Sequence, residues 1–346
     1  MLFKKIVQIF YNILKSSYKC IIIEKKRNEY IMKITVLDKK SFGNDLPLNS
    51  LASIGELTVY EATDDADIVR NIGNSEIIVL NKVKITKDVI DRCNNLKLIC
   101  VFATGFDNID INAAREKGIA VCNVPGYSTD SVALCTVATA LSLVTNLRVY
   151  NNYVTSGAYT ESGVPNRLEP VFHEISGMIW GIIGAGNIGK AVGKVAEAMG
   201  AKVIYNKRTP DPNLNCVDIT TLAKESDIIT VHCPLNDSSL NLINKELISM
   251  MKKNVIIVNE ARGAVVNDND IVEAVETNRI AAFGSDVYTK EPFDKNHPFN
   301  RIMHRDNVLL TPHFAWGSYE SRLRCLEIVC RNIKAFLNNE KLNRID

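Results

Sequence analysis

From Met32 onward, short runs rich in β-branched residues alternate with longer stretches of helical spacing. The first series is KITVL (33–37), ELTVY (56–60), EIIVL (76–80), LKLICVF (96–102) and IAVCN (119–123). The second is MIWGIIG (178–184), KVIYN (202–206), DIITVH (227–232), NVIIVN (254–259), AAFGSDV (281–287) and NVLLTP (307–312). Runs apolar on both faces predict strands covered on both sides, the pattern of parallel sheets flanked by helices. Two successive series predict two doubly wound α/β domains. Between them, residues 131–147 (SVALCTVATALSLVTNL) read as a helix with no polar face. Such a helix is expected to be buried on all sides, at a domain junction, a subunit interface or both. The polar, Gly- and Pro-bearing stretch 155–174 reads as a linker or an arm.

Composition narrows the class. With 346 residues, 46% hydrophobic, and a net charge of only +2, the chain is globular and long enough for two domains. That balance is an average over two unlike pieces: residues 1–31 carry +5 and the remainder −3. The head's apolar stretch, 6–14, is too short to span a bilayer and lacks a signal-peptide cleavage pattern, so residues 1–31 read as an extension outside the fold, with a membrane-surface helix or a targeting segment as the alternatives. No nucleic-acid partner and no stable membrane insertion are expected. Nine cysteines without CxxC spacing read as free thiols in a reducing compartment, hence a cytoplasmic protein without a structural metal.

Gly181-Ile-Ile-Gly184-Ala-Gly186-Asn187-Ile188-Gly189 follows an apolar run and opens a helical stretch, 187–199. That context is what a dinucleotide fingerprint requires. Gly184 permits the tight turn, Gly186 lets the backbone approach a pyrophosphate, and Gly189 allows close helix–strand packing. The helix terminus supplies unpaired N–H donors. Ile188, Val192, Val195 and Met199 are expected on its buried face. Where an acid would hold the ribose 2′-hydroxyl of NAD, the next strand ends in Asn206, followed by Lys207 and Arg208. A missing carboxylate and two cations lean toward NADP(H).

Three further segments end apolar runs: Asn259-Glu-Ala261-Arg262-Gly263, Asp286-Val-Tyr-Thr-Lys-Glu291-Pro292 and Thr311-Pro-His313-Phe-Ala-Trp316. Together they offer what carbonyl reduction needs. Arg262 can clamp a carboxylate bidentately, His313 can donate a proton, and Glu291 can hold that histidine in its donor form.

With these segments in place, the chain from Met32 to nearly its C-terminus resembles the D-isomer-specific 2-hydroxyacid dehydrogenases. The motifs stand in family order: TGFDNID (104–110), NVPGYSTDSVA (123–133), GIIGAGNIG (181–189), HCPL (232–235), NEARG (259–263), DVYTKEP (286–292) and TPHFAW (311–316). The resemblance implies a split flavodoxin-like substrate domain, 32–130 plus 314–346, with a Rossmann-type NAD(P)-binding domain, 131–313, inserted. The mid-chain glycine motif fits that insertion and argues against the L-specific lactate and malate dehydrogenases. By the same resemblance Arg262, Glu291 and His313 are the catalytic trio. The backbone N–H groups of Thr104 and Gly105 bind the substrate carboxylate, and Asp286 contacts the nicotinamide carboxamide. Further cofactor contacts fall on Cys233, Pro234, Ala261 and His313 as well as the glycine loop. His173, His297 and His304, in polar loops, are expected to be incidental. A homodimer through the 131–147 helix is also implied.

Within the family, NVPGYSTDSVA and TPHFAW look most like glycerate dehydrogenases, also called hydroxypyruvate reductases. Leu134 departs from the pattern, since relatives often carry Gln or Glu there. The expected reaction is reversible reduction of a small 2-keto acid, hydroxypyruvate or glyoxylate, to the D-2-hydroxy acid. The alternatives are another D-2-hydroxyacid substrate, such as D-lactate or the product of a branched keto acid, and a dinucleotide-sensing regulator on the same fold.

Overall fold

The computed structural model describes residues 31–346, so the expected N-terminal extension lies, but for its last residue, outside the described residues. The described chain forms two compact units. One runs up to Asn123 and resumes at Glu327–Asp346; the other is Val124–Leu326.

In the first unit, β1 (Lys33–Val36), β2 (Glu56–Val59), β3 (Ile77–Leu80), β4 (Leu98–Val101) and β5 (Ala120–Cys122) make a parallel sheet in the order β2-β1-β3-β4-β5. The strands inside the sheet are apolar because helices cover both their faces, whereas β2 at the edge is largely exposed. Ile78, Leu80, Ile99, Val101 and Val121 pack against Ile72, Ile90 and Ala114 from those helices. Thr86 and Asp110 cap two of them, accepting from the backbone N–H groups of Val89 and Ala113. The C-terminal segment closes on β5, with Ile345 N donating to Val121 O at 3.0 Å and Asn332 Nδ2 to Asn123 O at 3.0 Å.

In the second unit, β6 (Ile179–Ile183), β7 (Lys202–Asn206), β8 (Ile228–Val231), β9 (Ile256–Asn259), β10 (Ala282–Ser285) and β11 (Val308–Leu310) form a parallel sheet in the order β11-β10-β9-β8-β6-β7. The order reverses between β6 and β8, so a crevice opens beyond the carboxyl ends of these strands. The units divide at 123/124 and 326/327, whereas the expected boundaries were 130/131 and 313/314. Hydrogen bonds account for the difference. Ser321 Oγ and Arg324 Nε donate to Tyr127 O, and Ser131 Oγ donates to Ala315 O at 2.6 Å, tying these stretches together.

Two expectations about helices are corrected. The glycine-loop helix, Asn187–Ala198, buries Gly189, Val192, Gly193 and Ala196, while Val195 and Met199 are exposed and Ile188 half-buried. The small residues form the docking face because the sheet lies so close: a Cβ on Gly193 would stand 2.0 Å from the Tyr205 hydroxyl. The apolar helix after the first series runs Thr129–Val144 and stops short of 147. Asn146 adopts a left-handed conformation, and a second helix, Leu147–Thr155, leaves at 66°. Nor is the first helix buried all round, since Leu134 is 67% exposed and Ala138 is exposed on the same side. The stretch expected as a linker or arm contains a short helix, Ala158–Ser162, with Val164, Leu168, Val171 and Phe172 exposed beyond it.

Candidate active site

The loops that follow β6, β8, β9, β10 and β11 carry the residues singled out in the second unit. After β6, Gly184 sits at φ +100°, and a Cβ there would lie 2.5 Å from Cys233 N, so the glycine loop abuts the loop after β8. A Cβ on Gly189 would meet Gly184 O at 2.2 Å, whereas one on Gly186 would meet nothing within 4 Å. A tight turn, a close-packed helix and open space at the middle glycine make a cradle into which a pyrophosphate fits, with the N-terminus of the helix Asn187–Ala198 behind it. Asn187 is exposed and Ile188 half-buried at that terminus. Cys233 is half-buried and Pro234 exposed. At the end of β7, Asn206 Nδ2 donates to Val217 O at 3.1 Å, and Lys207 and Arg208 are exposed. Below the cradle, Lys190 is paired with Asp211 at 2.8 Å, which holds the Asp211 carboxyl below its ordinary range.

Three neighbouring strands then present the remaining groups. Beyond β9, Ala261 is buried and Arg262 half-buried, its guanidinium donating to Ala261 O at 2.8 Å. A Cβ on Gly263 would lie 1.9 Å from the carbonyl carbon of Tyr288, so this loop rests directly on the loop beyond β10. There Tyr288 N donates to Glu291 Oε1 at 3.0 Å, and Glu291 Oε2 lies 2.5 Å from His313 Nδ1. With Nδ1 committed to the carboxylate, Nε2 is the nitrogen through which this ring can exchange a proton. His313 itself stands at φ +51°, and Trp316 Nε1 donates to its carbonyl at 2.9 Å.

Asp286 is almost wholly buried. Its Oδ1 accepts from Thr311 Oγ1 at 2.6 Å and Phe314 N at 3.0 Å, and its Oδ2 from Ala315 N at 2.9 Å. Its visible task is therefore to pin the loop that carries His313, a role the motif alone did not suggest. Glu291 and His313 are thus in contact and Asp286 braces the His313 loop, while Arg262 follows the neighbouring strand β9. Thr104 and Gly105 follow β4 in the first unit, Thr104 exposed and its carbonyl accepting from Asn123 Nδ2 at 2.8 Å.

Several buried polar groups escaped the motif reading. Glu260 is 8% exposed, and Oε2 has no hydrogen-bond partner among the described residues. Burial, and then the charge of Asp286, push its carboxyl up to about 9. The available signal was a charged residue directly after the apolar run IIVN. His232 has both ring nitrogens buried with no partner among the described residues, and burial holds it down at about 3, a neutral ring. His297 is buried too, 3.2 Å from Asp268, with Thr289 Oγ1 donating to the same carboxylate oxygen at 2.7 Å; the trio fastens the ends of the Glu291 loop. His173 and His304 are exposed.

A parallel sheet with a glycine cradle at its reversal point, and an acid–histidine pair beyond it, define a dinucleotide-dependent oxidoreductase. Residues 137–315 match the family "D-isomer specific 2-hydroxyacid dehydrogenase, NAD binding domain". A hydroxypyruvate reductase of Blautia hydrogenotrophica is 35% identical over 91% of this chain and 100% of its own. Among solved structures, an acyclic imino acid reductase bound to NADPH and D-Arg is 30% identical, with a TM-score of 0.79, covering 91% of this chain and 100% of that one. A D-lactate dehydrogenase of Aquifex aeolicus, complexed with NAD and lactic acid, is 28% identical with a TM-score of 0.78, covering 89% and 96%. The chain belongs to the D-isomer-specific 2-hydroxyacid dehydrogenases, nicotinamide-dinucleotide-dependent oxidoreductases that act on CH–OH donors.

Proposed function

We propose that this enzyme reduces a small 2-keto acid, hydroxypyruvate or glyoxylate in preference, to the D-2-hydroxy acid. The observation that carries the reading is the Glu291–His313 pair, which leaves Nε2 of His313 free to serve a carbonyl oxygen. The Arg262 guanidinium takes the substrate carboxylate. His313 gives its proton to the carbonyl oxygen as negative charge develops there, where a donor lowers the barrier most. Glu291 orients the ring through Nδ1. The glycine loop 184–189 with Cys233, Pro234, Ala261 and Asp286 would hold the nicotinamide dinucleotide, whose chemistry when bound is hydride transfer. The first unit serves as substrate domain and the second as cofactor domain.

Asn206 with the exposed Lys207 and Arg208 supports a preference for NADP(H), since no carboxylate at these positions opposes a 2′-phosphate. The exposed apolar side of the helix Thr129–Val144, together with the exposed apolar groups of 164–172, supports a homodimer covering that face. Among the described residues no single helix is long and apolar enough to cross a membrane; with free thiols throughout, a cytoplasmic enzyme is proposed. The test is a panel of hydroxypyruvate, glyoxylate, pyruvate and longer keto acids assayed with NADH and NADPH. The highest kcat/KM is expected for one of the first two with NADPH, and no turnover of any of them overturns the reading.

A further inference from the structure

We infer that Glu260 is a positioning residue for the histidine loop: its neutral carboxyl leaves Asp286 as the one negative charge bracing residues 311–315, and its ionisation loosens that brace. The inference rests on His313 being the proton-transfer group.

Strand register places the two acids together. β9 and β10 are parallel with Asn259 paired to Ser285, and Asp286 N donates to Asn259 O at 3.1 Å. Glu260 and Asp286 are the next residue on each strand, so their side chains leave the sheet on the same side. Asp286 is 1% exposed and its carboxylate accepts from three donors, all in the 311–315 loop. Those donors accommodate one negative charge. Glu260 is buried beside it, its Oε2 without a partner among the described residues, and a second carboxylate there would repel the first in a medium that screens poorly. The titratable groups that face Glu260 are Asp286 beyond β10, Cys135 on the helix Thr129–Val144 and Tyr288 in the loop beyond β10. Each is neutral or negative, and none favours the ionised form. Burial first and Asp286 second hold the Glu260 acid up to about 9, so it is neutral at physiological pH.

The loop that would yield is the strained one. His313 adopts a left-handed backbone that a side chain other than glycine seldom takes, with Asp286 bonded to Thr311 before it and to Phe314 and Ala315 after it. Weakening those bonds lets residue 313 relax away from the conformation that holds its ring on Glu291.

Turnover of D-glycerate with NADP+ and NAD+ by the full chain should fall on the alkaline side with an apparent pKa near 9, about tenfold by pH 10. Glu260→Gln should turn over within about twofold of wild type at pH 7 and lose that fall. A second neutral variant, Glu260→Met, should behave likewise if Gln is not accommodated. Trp316, bonded to the His313 carbonyl, supplies a readout independent of turnover. The difference in tryptophan emission between wild type and Glu260→Gln should titrate near pH 9. An unchanged alkaline fall and no difference in emission overturn the inference. Absence of turnover in both proteins with the emission difference present overturns the proposed D-glycerate reaction and leaves the Glu260 brace standing.

Discussion

His313 Nδ1 lies 2.5 Å from Glu291 Oε2, and the same carboxylate accepts from Tyr288 N through its other oxygen. The ring is thereby fixed at one nitrogen by a carboxylate that is itself fixed, an arrangement suited to passing a proton at the other. His313→Ala should lower kcat for keto-acid reduction by about 10²–10⁴-fold, the usual worth of a positioned general acid. Glu291→Gln removes a charge-assisted bond while keeping shape, and a loss of about 10–100-fold is expected. Both variants should bind reduced cofactor as wild type does in a fluorescence titration; loss of cofactor affinity with kcat preserved would contradict the assignment.

Arg262 is expected to touch the substrate carboxylate both before and during reaction. Arg262→Lys keeps the charge but loses the planar fork, so KM should rise and kcat fall together, with kcat/KM down about 10–100-fold. Steady-state kinetics with glyoxylate check this, and a change confined to KM would limit Arg262 to uniform binding.

For the cofactor, Lys207→Ala combined with Arg208→Ala should reduce kcat/KM for NADPH by about tenfold or more, with that for NADH changed by less than about twofold, as loss of a charged phosphate contact would give. Equal effects on both coenzymes would show these cations to be surface charges only.

The helix behind the glycine loop makes a packing prediction. A methyl at Gly193 would overlap the buried Tyr205 hydroxyl at 2.0 Å. Gly193→Ala should therefore cost about 1–3 kcal/mol despite alanine's better helix propensity. Adding Tyr205→Phe should recover part of the loss, because the hydroxyl is the nearest atom; thermal unfolding of the two single variants and the double variant measures the coupling.

This helix also shows where sequence and structure part company. Its existence and its place after β6 were legible from GIIGAGNIG, because glycine spacing and a following helical stretch carry a mechanism. Its buried face was not, because a hydrophobicity pattern ranks Val195 and Met199 above Gly189 and Gly193, and only the close approach of the sheet makes small residues the docking face. The interior strands were legible for the opposite reason, since residues buried on both faces leave unbroken apolar runs. The break at Asn146 was hidden in an apolar run whose composition continues across a left-handed residue. Glu260 was visible as a residue but its burial was not, since that depends on which strand lies beside β9 and in what register.

His232 follows β8, and the pH dependence of stability should register it. Both ring nitrogens are buried with no partner among the described residues, so the folded protein disfavours the imidazolium and holds the group at about 3, against 6.5 for the ordinary side chain. Above pH 6.5 the ring is neutral whether the chain is folded or not, and no proton is exchanged on unfolding. Between 6.5 and 3 the unfolded chain binds a proton that the folded chain refuses, so stability present above 6.5 is lost as the pH falls. One proton corresponds to at most about 1.4 kcal/mol per pH unit in that window. His232→Gln removes the titration and retains a polar side chain. Its unfolding free energy should therefore decline less steeply than that of wild type from pH 6.5 to 4.5, by denaturant titration at each pH. Parallel curves would mean that the ring finds water or a partner in solution and is not kept neutral by burial.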